Sequence, residues 1–341
     1  MAKFYLSHFF GRNLFWLAIL LVACVNQELS QPPNVNPITP VTETQTSDSV
    51  PLTDNSVCQI GPISNLPNYK KKIAIAAFPL AYPQHAPDIP RISYEWPLFL
   101  ARELRASGDF IVRDIEDVNI FDGFPQISYL VVPRTDLLQD NYRLADLAEK
   151  IDAQFIISGV IHDFSFTQSN FSLLGLSFDE RMMRVELFIH DGWSGMLVDK
   201  QIFSQKIVGK VTFPEITHVD SAAFLNSNIG QAFQKIIANQ VQQIKTKLNL
   251  FPLIERVLRV EDENIIFNAG AEQNINVGDS LLIFSVADKY ANAVYYQNTR
   301  VRGYSEKAKS QLTVHQVHPL FSLGTLDIKV PVYPTDVVRS W

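Results

Sequence analysis

The side chains able to do chemistry are few and poorly grouped. Beyond residue 23 the histidines are His85, His162, His190, His218, His315 and His318. His315 and His318 stand three apart, a spacing that shares a metal on a helix. The local pattern is strand-like and turns them to opposite faces. No zinc-type motif pairing histidine with glutamate accompanies them. His162-Asp163 and His190-Asp191 are adjacent pairs at strand ends, and strand neighbours point to opposite faces, so they are poor acid–base partners. Gly192-Trp193-Ser194-Gly195 has a superficial likeness to a hydrolase elbow. It is a residue short of Gly-x-Ser-x-Gly and lies between two strands rather than before a helix. No phosphate-binding glycine loop ending in Lys-Ser or Lys-Thr occurs. The reading is therefore non-enzymatic, with no catalytic, cofactor-binding or metal-binding residue assigned.

One residue does carry chemistry. Leu21-Val22-Ala23-Cys24 ends an apolar run from Leu14 that follows Lys3 and Arg12, with no acid before it. A charged entrance, a short apolar run and a small residue at the cut make a secretory signal peptide. The run is shorter than the ~20 apolar residues that span a bilayer. A cysteine directly after the small residue resembles a bacterial lipobox, so Cys24 is the expected lipidation site and the first residue of the mature chain. The plainer reading is a signal peptide cut nearby, with Cys24 incidental. By the lipobox resemblance, Val25 in place of the aspartate that often holds lipoproteins at the inner membrane points to the outer membrane.

Residues 24–68 contain no aromatic residue and no Lys or Arg, and they hold seven of the 19 prolines. Such a stretch cannot bury enough apolar surface to offset its ordering entropy, which predicts a disordered tether. The bland alternative is that part of it, such as Ile60 to Leu66, lies against the folded domain. With Cys24 lipidated, Cys58 is left alone, as a free thiol or a partner in an intermolecular bridge. Loss of Lys3 and Arg12 with the signal makes the formal net charge of −6 more negative still. An acidic chain is a poor match for phosphate backbones, and no nucleic-acid partner is expected.

The remaining residues must fold around a core of their own. Lys70-Lys71-Lys72 leads into the apolar run Ile73 to Phe78, read as a strand buried on both faces with a solvated cationic entrance. Trp96, Phe99, Leu100 and Leu104 mark one face of a helix that Pro97 opens and Gly108 ends. Short strands follow at Phe110–Val112 and Tyr129–Val132. Asp140 caps a helix with Leu144, Leu147, Ala148 and Ile151 inward. Phe155–Ile161 is a strand, Ser169–Asp179 a loop or a mobile hairpin tip, and Met182–His190 and Met196–Val208 are two long strands joined by the glycine turn. A helix from Ser221 to Leu248 closes the region through Leu225, Ile229, Phe233, Ile236, Ile237, Val241, Ile244 and Leu248. The order β-α-β-α-β-β-β-α predicts an α+β fold: a mixed-sheet α/β sandwich spanning residues 69–250.

Pro252 ends the helix. Residues 251–341 read as a small all-β barrel or sandwich domain, from short strands punctuated by Gly, Asn and Asp. Ile254, Val257 and Leu258 interleave with charged neighbours, Ile265–Phe267 and Ser280–Phe284 are strands, and Gln311–Val317 is another. Residues 287–310, with Tyr290, Tyr295, Tyr296 and Tyr304, read as a long polar loop.

The segments LRASGDFIVRDIEDV, IDAQFIISGVI and LFIHDGWSGMLVDKQIF occur in an order that resembles the periplasmic α/β domain of TolB, of curli secretion lipoproteins and of lipoprotein activators of cell-wall synthases. HDGWSG, then FLNSNIGQAFQKIIANQVQQIKTKL, then INVGDSLLIF in a following β domain is similar to the flagellar assembly protein T family. That resemblance implies a structural part of the flagellar basal body, in a periplasmic ring needed for motility. It also implies basal-body ring proteins as partners and head-to-tail self-association in a ring. Two departures stand out: the family usually carries a further small N-terminal domain, and usually a plain signal peptide. The alternatives are an outer-membrane interaction module that activates a cell-wall synthase, which the separate β domain fits poorly, and a curli-type export lipoprotein. The latter needs a pair of amphipathic strands, and only Gln168–Phe178 comes near one.

Overall fold

The computed structural model describes residues 68–115, 120, 141–168, 179–213, 215–286, 293–296, 299–302 and 306–341. The signal peptide, Cys24, the tether up to residue 67, the strand expected at Tyr129–Val132 and most of the loop at 169–179 lie outside the described residues, as do Tyr290 and Tyr304.

The first half is built on one mixed sheet. β1 (Lys71–Ala76) pairs in parallel with β2 (Phe110–Ile115) and with β3 (Phe155–Asp163). β5 (Asp179–Asp191) runs antiparallel to β3 and to the short β4 (Phe166–Gln168). β6 (Leu197–Val208) pairs antiparallel with β5 and ends the sheet. β1 is buried along its whole length, as a continuous apolar run requires. Ile73 and Ile75 face α1 (Ile92–Ser107) and α4 (Asn228–Leu248), while Ala74, Ala76 and Ile156 face α2 (Asn141–Ile151) through Leu144 and Ala148. Trp96 is the anchor of the larger core. Its ring meets Phe233 edge to face at 4.8 Å, and its indole N–H donates to Gln240 Oε1 at 3.1 Å, which leaves no buried indole donor unpaired.

Two helix boundaries differ from the expectation. α1 begins at Ile92, so Pro97 sits inside it rather than at its first turn. Burial of Ile92 and Trp96 on the same core outweighs the hydrogen bond that Pro97 withholds. The long closing helix is two: α3 (Ala222–Leu225) and α4, each with its own serine cap. Ser221 Oγ accepts from the Phe224 N–H and Ser227 Oγ from the Gly230 N–H, and capping by a side chain in extended backbone starts a new helix.

The second half is a closed barrel. β7 (Ile254–Glu261), β8 (Asn264–Phe267), β9 (Ser280–Val286), β12 (Glu306–Val317), β13 (Ser322–Leu326) and β14 (Val337–Arg339) close in the order β12-β13-β8-β7-β14-β9. Val257, Phe267, Ile283, Leu312, Val314 and Val338 fill it, together with Tyr69 from just before β1. Closure removes the edge strands that an open sandwich would expose. The expected polar loop at 287–310 is overturned. β10 (Ala293–Tyr296) and β11 (Thr299–Arg302) pair as a separate antiparallel hairpin, and β12 already starts at Glu306. Leu258 is exposed, because β7 shifts register between Val257 and Arg259. The buried residues of the strand's start are Glu255 and Val257.

Candidate functional site: the seam between sheet and barrel

The clearest polar constellation among the described residues lies where the sheet meets the barrel. It starts from Lys72. The tri-lysine reads from sequence as a solvated strand entrance, but its last two lysines are buried. Lys71 and Lys72 are 6% and 4% exposed, because the barrel closes over this end of β1. Burial lowers the Lys71 ammonium to about 8. Lys72 Nζ has three donors and uses three acceptors: Asp152 Oδ2 at 2.8 Å, Glu255 Oε2 at 3.0 Å and the Asn268 carbonyl at 2.7 Å. One comes from the turn after α2, one from β7 and one from the end of β8.

The acceptors are held in turn. Asp152 occupies the left-handed region at φ 56°, a conformation short polar side chains tolerate, and its Oδ1 accepts from Asn268 Nδ2 at 2.7 Å. Glu255 takes a second hydrogen bond, from Gln273 Nε2 at 2.5 Å. Burial pushes the Glu255 carboxyl up to about 7 against the opposing pull of Lys72. Gln154 donates to the Pro252 carbonyl at 2.7 Å and accepts from the Ile254 N–H at 3.4 Å, while its own backbone N–H bonds Lys72. A small cleft opens beside this network, lined by Glu149, Trp193 and Arg256 among others. Arg256 pairs with Glu149 at 2.6 Å and lies over the Trp193 ring at 4.9 Å. The adjacent turn must come very close: a Cβ on Gly192 would sit 2.6 Å from the Ala153 carbonyl oxygen. The arrangement spends its polar atoms on one another. Chemically it is a clasp that fixes the barrel on the sheet.

The other candidates are scattered. Ser194 Oγ donates to Asp191 Oδ2 at 2.5 Å within the β5–β6 turn, so the hydroxyl is committed to holding that turn. His315 meets Asn264 at 3.0 Å and His318 stacks on Phe321 at 4.4 Å; the structure does not bring them together. Among the described residues no group of three or more metal-ligating side chains converges. His162 and Asp163 depart from the strand expectation. β3 shifts register between Ile161 and Asp163, so both residues serve the same face of the sheet. His162 Nε2 lies 2.6 Å from Glu186 Oε2, Lys200 pairs with the other oxygen at 2.7 Å, and Asp163 Oδ1 lies 3.2 Å from His85 Nδ1. Sequence reasoning missed this cluster because a bulge breaks the alternation on which it relied.

His190 is 1% exposed and neither ring nitrogen has a hydrogen-bond partner. It stands opposite Ile156 on β3 and Leu197 on β6, with Phe188 stacked nearby. Burial pushes it down to about 4 from an ordinary 6.5. A histidine held neutral in the fold costs stability as pH falls from 6.5 towards 4, since only the unfolded chain takes up the proton. The shift corresponds to about 3 kcal/mol. Glu255 acts with the opposite sign between 7 and 4.5, its raised carboxyl favouring the folded chain as pH falls. Comparison with His190→Leu cancels that contribution. Urea unfolding at pH 7 and pH 4 should show the wild type losing about 3 kcal/mol relative to the variant; parallel pH profiles would refute the buried neutral histidine.

Among curated proteins, none matches this chain. Several solved structures resemble about half of it. The PelC dodecamer from Paraburkholderia phytofirmans is 15% identical, covering 51% of this chain and 88% of that one, with a TM-score of 0.30. The hypothetical protein CT253 from Chlamydia trachomatis is 16% identical, covering 52% and 98%, with a TM-score of 0.36. Lipoprotein GNA1162 from Neisseria meningitidis is 11% identical, covering 52% and 99%, with a TM-score of 0.29. The family model described as flagellar assembly protein T, middle domain, matches residues 64–219, which is the mixed sheet with α1 and α2. That part of the chain is similar to the middle domain of flagellar assembly protein T.

Proposed function

We propose that this protein is a non-enzymatic structural component of the flagellar basal body, a periplasmic ring protein needed for motility and held at the outer membrane by a lipid on Cys24. The observation that carries the reading is the family match over residues 64–219. In it the chain has four parts: a signal peptide at 1–23, a proline-rich tether at 24–68, the α/β domain at 69–250 and the β domain at 251–341. The tether's 45 residues would span ~150 Å at full stretch. That length lets the folded part reach a ring while its lipid stays in the membrane. The clasp around Lys72 makes sheet and barrel a single body, which suits a building block whose partners bind both. Neighbours would be basal-body ring proteins and further copies of this chain.

The test is a deletion strain complemented with the wild-type chain and assayed for swimming in soft agar. Loss of swimming that the wild-type gene restores supports the reading. Full swimming without the gene contradicts it, and capture of a cell-wall synthase with no flagellar partner would support the synthase-activator alternative instead.

A further inference from the structure

β6 is a 12-residue strand that, among the described residues, pairs only with β5. Its outer backbone N–H and C=O groups have no partner within the sheet, and another extended chain can satisfy them as a row. The strand holds neither proline nor glycine, the residues that usually interrupt an edge. Lysines on an edge normally repel other strands. Here both are drawn back onto β5: Lys200 to Glu186 at 2.7 Å and Lys206 to Glu180 at 2.8 Å. Between them Ile202 stands 42% exposed.

We propose that β6 pairs antiparallel with β6 of a second copy of this chain, about a two-fold axis at Ile202. The register follows from the side chains. A two-fold that keeps both copies' sheet faces aligned pairs residues of like parity. Centred on Phe203, it sets Lys200 opposite Lys206 at both ends, and like charges directly opposite are destabilising. Centred on Ser204, it pairs only Lys200 to Val208. Centred on Ile202, it pairs Leu197 to Ile207 with the same stretch of the other copy. That register places Ile202 against Ile202, Lys200 against Ser204 and Lys206 against Val198, so no like charges meet. Strand twist accumulates in one sense across a sheet, so edge-to-edge extension from copy to copy would wind into a helix. The two-fold contact closes on itself. It stands apart from the flagellar reading, and a ring containing it is a ring of pairs.

The test uses the full chain carrying Cys58→Ser, which leaves no other thiol once Cys24 is lipidated. Under mild oxidation, Ile202→Cys should give a disulfide-linked dimer on non-reducing gels. Ser204→Cys should not, since opposite copies place that residue about 13 Å apart along the strand, beyond disulfide reach. In detergent, light scattering should return a dimer for the wild type and a monomer for Ile202→Lys, which sets two lysines together on the axis. A monomeric wild type, a dimer that survives Ile202→Lys, or cross-linking at 204 in place of 202 would overturn the proposal.

Discussion

Lys72→Ala should destabilise the folded chain by about 3–5 kcal/mol, the cost of leaving a buried charge without its partner. The change empties the point where Asp152, Glu255 and the Asn268 carbonyl converge. Asp152 keeps Asn268 and is partly exposed. Glu255 is 4% exposed and keeps only Gln273. Without the ammonium its carboxyl rises further than the about 7 it has in the wild type, and it takes up a proton. A carboxyl raised on folding contributes stability that is complete below its unfolded value and lost as pH rises through its folded value. The variant should therefore lose most at pH 8 and less near pH 5. Lys72→Met combined with Glu255→Gln removes the charge from both partners and should cost far less than Lys72→Ala, because a missing pair is milder than a broken one. Denaturant midpoints for the three chains at pH 8 and pH 5 check this. Equal losses for the single and double variants would mean that Lys72 contributes only packing.

Cys24→Ala should abolish labelling with palmitate and move the protein from the membrane fraction to the soluble one. The expectation rests on Leu21-Val22-Ala23-Cys24 and on the tether behind it. A buried acyl chain contributes ~0.8 kcal/mol per methylene, and stable anchoring takes more than one chain. The loss should thus be nearly complete, with residual attachment limited to protein contacts. Among the described residues no helix is long and apolar enough to cross a membrane. A variant that stays both labelled and membrane-bound would end the lipoprotein reading while leaving the family match over residues 64–219 in place.

Elements whose residues face one core were legible from periodicity. The apolar run of β1, the face Trp96, Phe99 and Leu104 of α1, and the face Ile229, Phe233, Ile236 and Ile244 of α4 are all buried where spacing placed them. Legibility failed where a distant segment decides the environment. Lys72 is buried by Glu255 and Asn268, 183 and 196 residues along the chain, and nothing beside it in sequence announces them. Glu255 is one of the charged residues interleaved with Ile254, Val257 and Leu258, yet it is the acceptor that makes burial of Lys72 tolerable. Bulges were the second obstacle. One residue more on one strand puts His162 and Asp163 on one face and turns Leu258 outward. The serine at 227 was a local signal that could have been read, since Ser before a helical pattern is a cap.

In the proposed function this chain builds part of the flagellar basal body. The most direct measurement is electron microscopy of basal bodies isolated from a strain lacking the gene, beside the complemented strain. Density in the periplasmic rings around the rod should be missing in the first and restored in the second. Ring density intact in the deletion strain, with swimming unimpaired, would contradict the account.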